Sequence, residues 1–300
     1  MKITAEAGDR ADKVLARHFP GVGRRRLAAL FEDGCVRLGG RRARKGDRVA
    51  AGDVLELTRD PLGLAGAALR PEPDAAAAAQ LELLLERADL VVVAKPAGMP
   101  SQPLRAGELG TAANGLAARF PECAALGDDP RDGGLVHRLD IGTSGALVAA
   151  RTAAAYRALR DAFGAGAVDK QYLAITDGRP VARECEAPLA QRGRRAVVDH
   201  TEGLAAHTAF SVERAAAAHA LVRCAARTGR MHQVRAHLAY AGAPITGDTL
   251  YGGAPLLGFD GFFLHAARLA LPPASPGAPP LVVEAPEPER FARARAACGL

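Results

Sequence analysis

Residues 137–149 read His-Arg-Leu-Asp-Ile-Gly-Thr-Ser-Gly-Ala-Leu-Val-Ala, HRLDIGTSGALVA. A histidine, an arginine and an aspartate stand together. The small run Gly142-Thr143-Ser144-Gly145 follows, and then the apolar stretch Ala146–Ala150. Small residues let a chain turn tightly and approach a ligand closely, and a short apolar run bounded by turn signals reads as a buried strand. The stretch therefore predicts a carboxylate, Asp140, presented at a turn and fixed by the strand behind it. Such a place suits a reactive acid, although Arg-Leu-Asp in a loop is also common salt-bridge and turn chemistry.

Outward from that stretch the same alternation of strand and turn continues. Asp89–Gly98 (DLVVVAKPAG) holds five consecutive apolar residues before a proline-glycine turn, the pattern of a central strand covered on both faces. Thr111–Phe120 and Thr152–Phe163 read as helices, the second with Ala155, Leu159 and Phe163 on one face. Lys170–Ile175 alternates as a strand and carries Tyr172, one of only four tyrosines. Strand-and-turn rhythm continues around Val197-Val198, His207–Phe210 and Ala220–Cys224. In Arg227–Leu238 (RTGRMHQVRAHL) a glycine turn opens a helix. It is followed by a turn-rich loop over 244–252, Leu264–Leu269, and a last helix over Glu289–Ala297. His232 and His237 lie five apart with no carboxylate in a metal-ligand pattern, so no metal site is expected.

The first fifth of the chain has its own pattern. Residues 1–60 carry 14 Lys and Arg against 9 Asp and Glu, while the remaining 240 residues carry 25 against 24. Nearly all of the net charge of +6 therefore sits in a small N-terminal module, the footprint of a polyanion binder. Asp9–Phe19 and Gly23–Glu32 have helical spacing. The second has Arg24, Arg25 and Arg26 in its first turn, unfavourable against the helix dipole but suited to phosphate. Short strands follow at Cys35–Leu38, in the basic run Arg41–Arg48 and at Gly52–Leu57. Residues 61–80, with prolines, glycines and an alanine run, read as a linker, which gives a module over 1–60 and a larger domain over 81–300. Five cysteines without a C-x-x-C pair argue against disulfides or zinc. No apolar run reaches 18 residues, and the expectation is a cytoplasmic protein.

Two resemblances rest on these motifs. Residues 9–57, through R-x-D-K-x-L-A, R-R-R-L-x-x-L-F-x-x-G-x-V and G-D-V-L-E-L, resemble the alpha-L RNA-binding domain. That resemblance implies phosphate contacts from Arg24, Arg25, Arg26, Arg41, Arg42, Arg44 and Lys45. Residues 88–285 carry, in order, H-R-L-D-x-x-T-S-G, K-x-Y-x-A, T-G-R-x-H-Q-V-R-x-H-L, P-I-x-G-D-x-x-Y-G and L-H-A, and resemble the RluA-type pseudouridine synthases. The implied fold is α+β, a curved, mostly antiparallel mixed sheet with flanking helices and a cleft between the strands carrying Asp140 and Tyr172. The small N-terminal α+β module stands beside it. The implied roles are Asp140 as the catalytic aspartate, Tyr172 as the ring that stacks on the target base, and Arg230 as the arginine paired with the aspartate. Arg235 is the second choice for that pairing, and Leu238 or a neighbour would supply an apolar wall. His137, Arg138 and Arg235 join the expected RNA contacts.

The implied reaction detaches uracil from ribose, turns it and rejoins it through carbon. It involves no redox step and no group donor, so no cofactor is expected. The expected partner is RNA, with ribosomal RNA of the large subunit favoured and transfer RNA open. No membrane partner is expected, and the chain is expected to be a monomer. Ile141-Gly142 and Met231 depart from the family pattern and bear on substrate choice. Two other readings are an RNA-binding or assembly factor without activity, and a hydrolase using Asp140 with His137 or His232. The hydrolase lacks a serine or cysteine nucleophile motif, and no G-x-S-x-G elbow is present.

Overall fold

The computed structural model describes residues 1–19, 22, 24–58, 69–273 and 279–300, with the side chains of Arg24, Arg25 and Arg26 excepted. Its contacts divide the chain into two units. One is Met1–Arg70 with Leu104–Gly107 and Asp128–Arg131; the other is the remainder.

In the first unit the elements are β1 (Lys2–Thr4), β2 (Asp9–Arg10), α1 (Ala11–His18), α2 (Arg24–Glu32), β3 (Val36–Leu38), β4 (Arg41–Arg42), β5 (Arg48–Val49) and β6 (Val54–Leu57). An antiparallel sheet runs β1-β6-β3-β4, and β2 pairs with β5. Leu15, Leu27, Leu30, Phe31, Val36 and Leu55 form the core, the positions that helical and two-residue spacing put inward. Helix α1 starts at Ala11 behind Arg10, which makes no side-chain cap. The Asp9 carboxylate instead accepts from the Arg10 amide and pairs with Arg17.

The second unit contains α3 (Ala75–Ala79), β7 (Glu82–Glu86), β8 (Leu90–Lys95), α4 (Ala112–Arg119), β9 (Ser144–Ala150), α5 (Ala153–Gly164), β10 (Asp169–Asp177), β11 (Glu184–Cys185), β12 (Leu189–Arg192), β13 (Arg195–Val198), β14 (Thr208–Ala215), β15 (His219–Ala226), α6 (Gln233–Tyr240), β16 (Leu264–Leu271), β17 (Leu281–Glu284) and α7 (Glu289–Ala297). The alanine run assigned to the linker is in part helical. Asp74 caps α3 by accepting from the amides of Ala76 and Ala77, and Ala77 is buried with Leu116 of α4. The rest of that stretch, up to residue 68, lies outside the described residues.

One nine-stranded sheet organises this unit, in the order β11-β14-β15-β10-β16-β9-β8-β7, with β17 on β16. Every pairing is antiparallel except β9 with β16. The sheet is thus mixed, mostly antiparallel, and the class is α+β. All seven residues of β9 are buried, as expected of a strand covered on both faces. Threonines at the helix starts do the capping: Thr111 forms a capping box with Asn114, and Thr152 accepts from the Ala155 amide.

A single row crosses the sheet: Cys224, Tyr172, Ala266, Gly145 and Lys95 are register partners on β15, β10, β16, β9 and β8. Gly145 makes the row possible. Its φ is +116°, and a Cβ there would run into the Ala266 carbonyl and come within 2.7 Å of the Ala266 amide nitrogen. Ser144 beside it donates to His265 Nδ1 at 2.9 Å, while His265 Nε2 donates to the Ala285 carbonyl at 3.2 Å. The small hydroxyl run thus joins the parallel pair of strands. Gly145→Ala is expected to destabilise the chain by about 3 kcal/mol or more through backbone strain and overpacking. Denaturant unfolding measures this, and a loss below about 1 kcal/mol would contradict the close approach.

Candidate active site

Asp140 does not lie on a strand. It opens the turn that leads into β9, where its carbonyl accepts from the Thr143 amide at 3.0 Å. Beneath the turn lies Lys95, 1 % exposed. Its ammonium donates to the carbonyls of Met99 (2.7 Å), Pro96 (3.0 Å) and Ile141 (3.4 Å). Burial lowers its pKa to about 7, against the opposing pull of the Asp140 charge. The Gly98 amide also donates to the Ile141 carbonyl at 2.7 Å. The proline-glycine turn after β8 therefore clamps the residue that follows Asp140.

The guanidinium that meets Asp140 belongs to Arg235, not Arg230. Arg235 Nη1 donates to Asp140 Oδ2 at 3.0 Å. Its other edge makes a two-pronged pair with Asp248, Nε to Oδ2 at 2.6 Å and Nη2 to Oδ1 at 2.9 Å. The group packs on two rings, 5.0 Å from the Tyr251 centroid and 4.3 Å from that of Phe262. Burial alone would lower its pKa, but the hydrogen bonds and charges of Asp248 and Asp140 outweigh it and raise it. A planar fork fits this double duty better than an ammonium.

Arg230 is exposed, and its Nε donates to the Ala205 carbonyl at 3.0 Å. It sits on a loop whose backbone is held by Gln233. That buried amide accepts from Thr228 Oγ1 and the Arg230 amide, and donates to the His207 carbonyl and Thr208 Oγ1. Helical phase explains the exchange. Arg235 falls in the first turn of α6, which faces the sheet, whereas Arg230 precedes the helix. The sequence signal was present in P-I-x-G-D: Asp248, 2 % exposed, is the buried acid that an inward arginine requires.

Tyr172, in the cross-sheet row, packs against the clusters containing Leu139, Ala266 and Leu238. Its phenol pKa is raised, by burial first and then by the charge of Asp140, so the ring stays neutral. Leu238 lies fully inside that core. Three further residues complete the site. Tyr251 packs edge-on to His232, and His232 Nε2 stands 3.8 Å from Asp140 Oδ1. Phe262 explains the departure at Gly142, where a Cβ would come within 2.6 Å of its ring and push it off Arg235. Met231 packs with Leu189, Ala196 and Tyr251. Ile141 is 56 % exposed.

Several residues expected to contact RNA also hold the fold together. His137 accepts from the Val148 amide at 3.0 Å and stacks on Phe163 with centroids 4.6 Å apart. Burial, helped by the charge of Lys170, lowers its pKa to about 3. Arg41 pairs with Asp47 at 2.7 Å, and Arg42 donates to the carbonyls of Phe31 and Glu32 at the end of α2. Arg138, Arg44 and Lys45 are exposed. Arg44 and Lys45 line a groove of about 460 Å³ with Ala28, Phe31 and Arg42. The side chains of Arg24, Arg25 and Arg26 lie outside the described residues. His237 is structural, its Nε2 donating to the Ala187 carbonyl and its Nδ1 accepting from Thr208.

Comparison with known proteins places this geometry. Residues 89–240 match the family described as RNA pseudouridylate synthase. A protein of Xanthomonas campestris pv. campestris called ribosomal large subunit pseudouridine synthase D is 36 % identical over 96 % of this chain and 88 % of its own. Ribosomal large subunit pseudouridine synthase C of Escherichia coli is 34 % identical over 90 % and 87 %. Among solved structures, human RNA pseudouridylate synthase domain containing 4 superposes with a TM-score of 0.58 at 24 % identity, over 73 % of this chain and 93 % of that one; this likeness speaks to the fold.

His137 gives a test of the local packing. Its pKa is depressed in the folded chain from the usual 6.5, so the native state binds fewer protons between pH 3 and 6.5. The stabilisation is full above pH 6.5 and is lost as pH falls through that window. His137→Gln keeps an acceptor for the Val148 amide without titrating. Between pH 7 and pH 5 it is expected to lose roughly 1–2 kcal/mol less than the wild type. Denaturant titrations at the two pH values measure the difference; parallel losses would contradict the buried neutral ring.

Proposed function

Because the chain belongs to the RNA pseudouridylate synthase family, we propose that Asp140 is the carboxylate that performs its isomerisation. On this reading Arg235 aims Asp140, and Tyr172 is the face on which the target uracil lies. The observation that carries the reading is the shared guanidinium: Arg235 holds Asp140 by one edge and the buried Asp248 by the other. An inactive RNA binder needs no such arrangement.

The reaction breaks the bond between N1 of uracil and C1′ of ribose and forms one between C5 and C1′. The proton on C5 leaves and N1 gains one, so the change is an isomerisation without an external donor. An ionised carboxylate serves it as nucleophile at the sugar or the ring, or as base at the sugar. Each role needs a charged, fixed oxygen, which a neighbouring guanidinium favours. The released base must be retained while it turns. A neutral aromatic face does this at ~1–3 kcal/mol, and the raised pKa of Tyr172 supports that use rather than a resting phenolate. The nucleotide must first leave its stack, at a cost of a few kcal/mol, which phosphate contacts offset.

We assign those contacts to the module over residues 1–60, at Arg44 and Lys45 beside the basic groove, and to Arg138 near the site. Arg24, Arg25 and Arg26 belong to the same proposal by sequence. The substrate we propose is large-subunit ribosomal RNA, since the relatives similar over most of this chain are named for it. The chain is proposed to act as a monomer in the cytoplasm; among the described residues no helix is long and apolar enough to cross a membrane.

Asp140→Asn is expected to lower the rate of pseudouridine formation by at least 10³-fold while RNA affinity changes less than about threefold. Pseudouridine mapping of total RNA from cells carrying the wild-type gene, the variant or no gene measures this and names the target uridine. A variant with the wild-type modification pattern would end the reading. Arg44→Gln with Lys45→Gln is expected to reduce the slope of log affinity against log salt by one to two units. Filter binding across salt concentrations reads it, and an unchanged slope removes these residues from the interface.

A further inference from the structure

Among the described residues His232 is the only non-glycine residue with a positive φ, +52°. It caps α6 in the left-handed conformation and makes no side-chain cap bond to the helix. Glycine or asparagine would hold that conformation with less strain. Strain of this kind is kept where the side chain has another task.

The ring has one. Tyr251 Oη accepts from the Ala196 amide at 2.8 Å and lies 3.0 Å from His232 Nδ1. With Tyr251 donating its hydroxyl proton to Nδ1, a neutral ring carries its own proton on Nε2. Burial keeps the ring neutral by lowering its pKa, with Arg235 acting the same way and Asp140 opposing. The Nε2–H lies 3.8 Å from Asp140 Oδ1. That is the oxygen Arg235 leaves free, since its bond goes to Oδ2. Among the described residues the carboxylate has this one hydrogen bond and is 27 % exposed, so a small swing about Oδ2 closes the gap. Hydrogen bonds of this sort tighten when substrate occupies a site.

We propose that His232 is a positioning residue for the isomerisation: oriented by Tyr251, its Nε2–H closes on Asp140 Oδ1 when a nucleotide enters. With Arg235 on Oδ2 and His232 on Oδ1, the plane of the carboxylate is fixed, and the remaining lone pair of Oδ1 is the one aimed at the nucleotide. This rests on the reading of Asp140 as the reacting acid. It adds that the aim comes from a relay of three groups, the Ala196 amide, the Tyr251 hydroxyl and the His232 ring.

Two substitutions separate the chemistry from the cap. His232→Asn suits the left-handed backbone and can offer Tyr251 an acceptor near Nδ1, but places nothing near Nε2. His232→Gln carries an amide N–H to about the position of Nε2. Full-length wild type, both variants and Asp140→Asn are assayed by tritium release under single turnover. The probe is total RNA labelled with [5-³H]uridine, purified from cells lacking the gene. RNA affinity and melting temperature are measured in parallel. The expected result is a 10- to 100-fold slower release for His232→Asn with affinity and melting temperature unchanged, and recovery to within about threefold of wild type for His232→Gln. Release by His232→Asn at the wild-type rate, or His232→Gln no faster than His232→Asn, would overturn the proposal. An active Asp140→Asn would instead remove the reading beneath it, so the two failures are distinct.

Discussion

The site depends on one guanidinium shared between two carboxylates. Arg235 is almost wholly withdrawn from water, and a lone buried cation would be prohibitively costly. Asp248, buried and fully engaged, neutralises it and satisfies one edge of the fork. Asp140, more exposed, receives what remains. The asymmetry sorts two acids of the same type by environment alone: one is spent on holding the arginine, and the other is oriented by it and left partly exposed. The Tyr251 and Phe262 rings packed on the fork restrict its tilt, so its direction is set by packing as well as by charge.

Around this group the family motifs acquire separate mechanical functions. The lysine after β8 ties down the turn behind Asp140 through carbonyls. Gln233 stitches the glycine loop to the helix that carries Arg235. Phe262 needs Gly142 to be bare. None of these side chains has to touch RNA, yet each fixes a neighbour that is proposed to do so.

Much of the architecture could be read from the chain. The apolar runs at 90–94 and 146–150 are the paired central strands β8 and β9, and Thr111 and Thr152 start helices as their residue type suggests. Asp140 and Tyr172 were legible through the resemblance that H-R-L-D and K-x-Y-x-A carry; by residue pattern alone the first is a turn acid and the second a strand aromatic. The choice between Arg230 and Arg235 was harder. It turns on which side of a helix start each falls, and boundaries are what a linear pattern resolves least well. The structural partners of His137, Arg41 and Arg42 were equally hidden, because a polar side chain next to a motif does not announce which distant group it will meet. The alanine run at 75–79 looked like a spacer, since alanine alone carries no amphipathic signal; its helix depends on Asp74 and on burial against α4.

The bare α-carbon at Gly145 has a consequence for how this enzyme can vary. It sets the spacing of β9 and β16, and Tyr172 is in register on the far side of β16. The distance from Tyr172 to the start of β9 is therefore a lattice constant of the backbone, not the outcome of side-chain choices. Loops outside the strands can vary without altering that spacing. What they cannot readily do is widen it, because that would require prising apart two hydrogen-bonded strands.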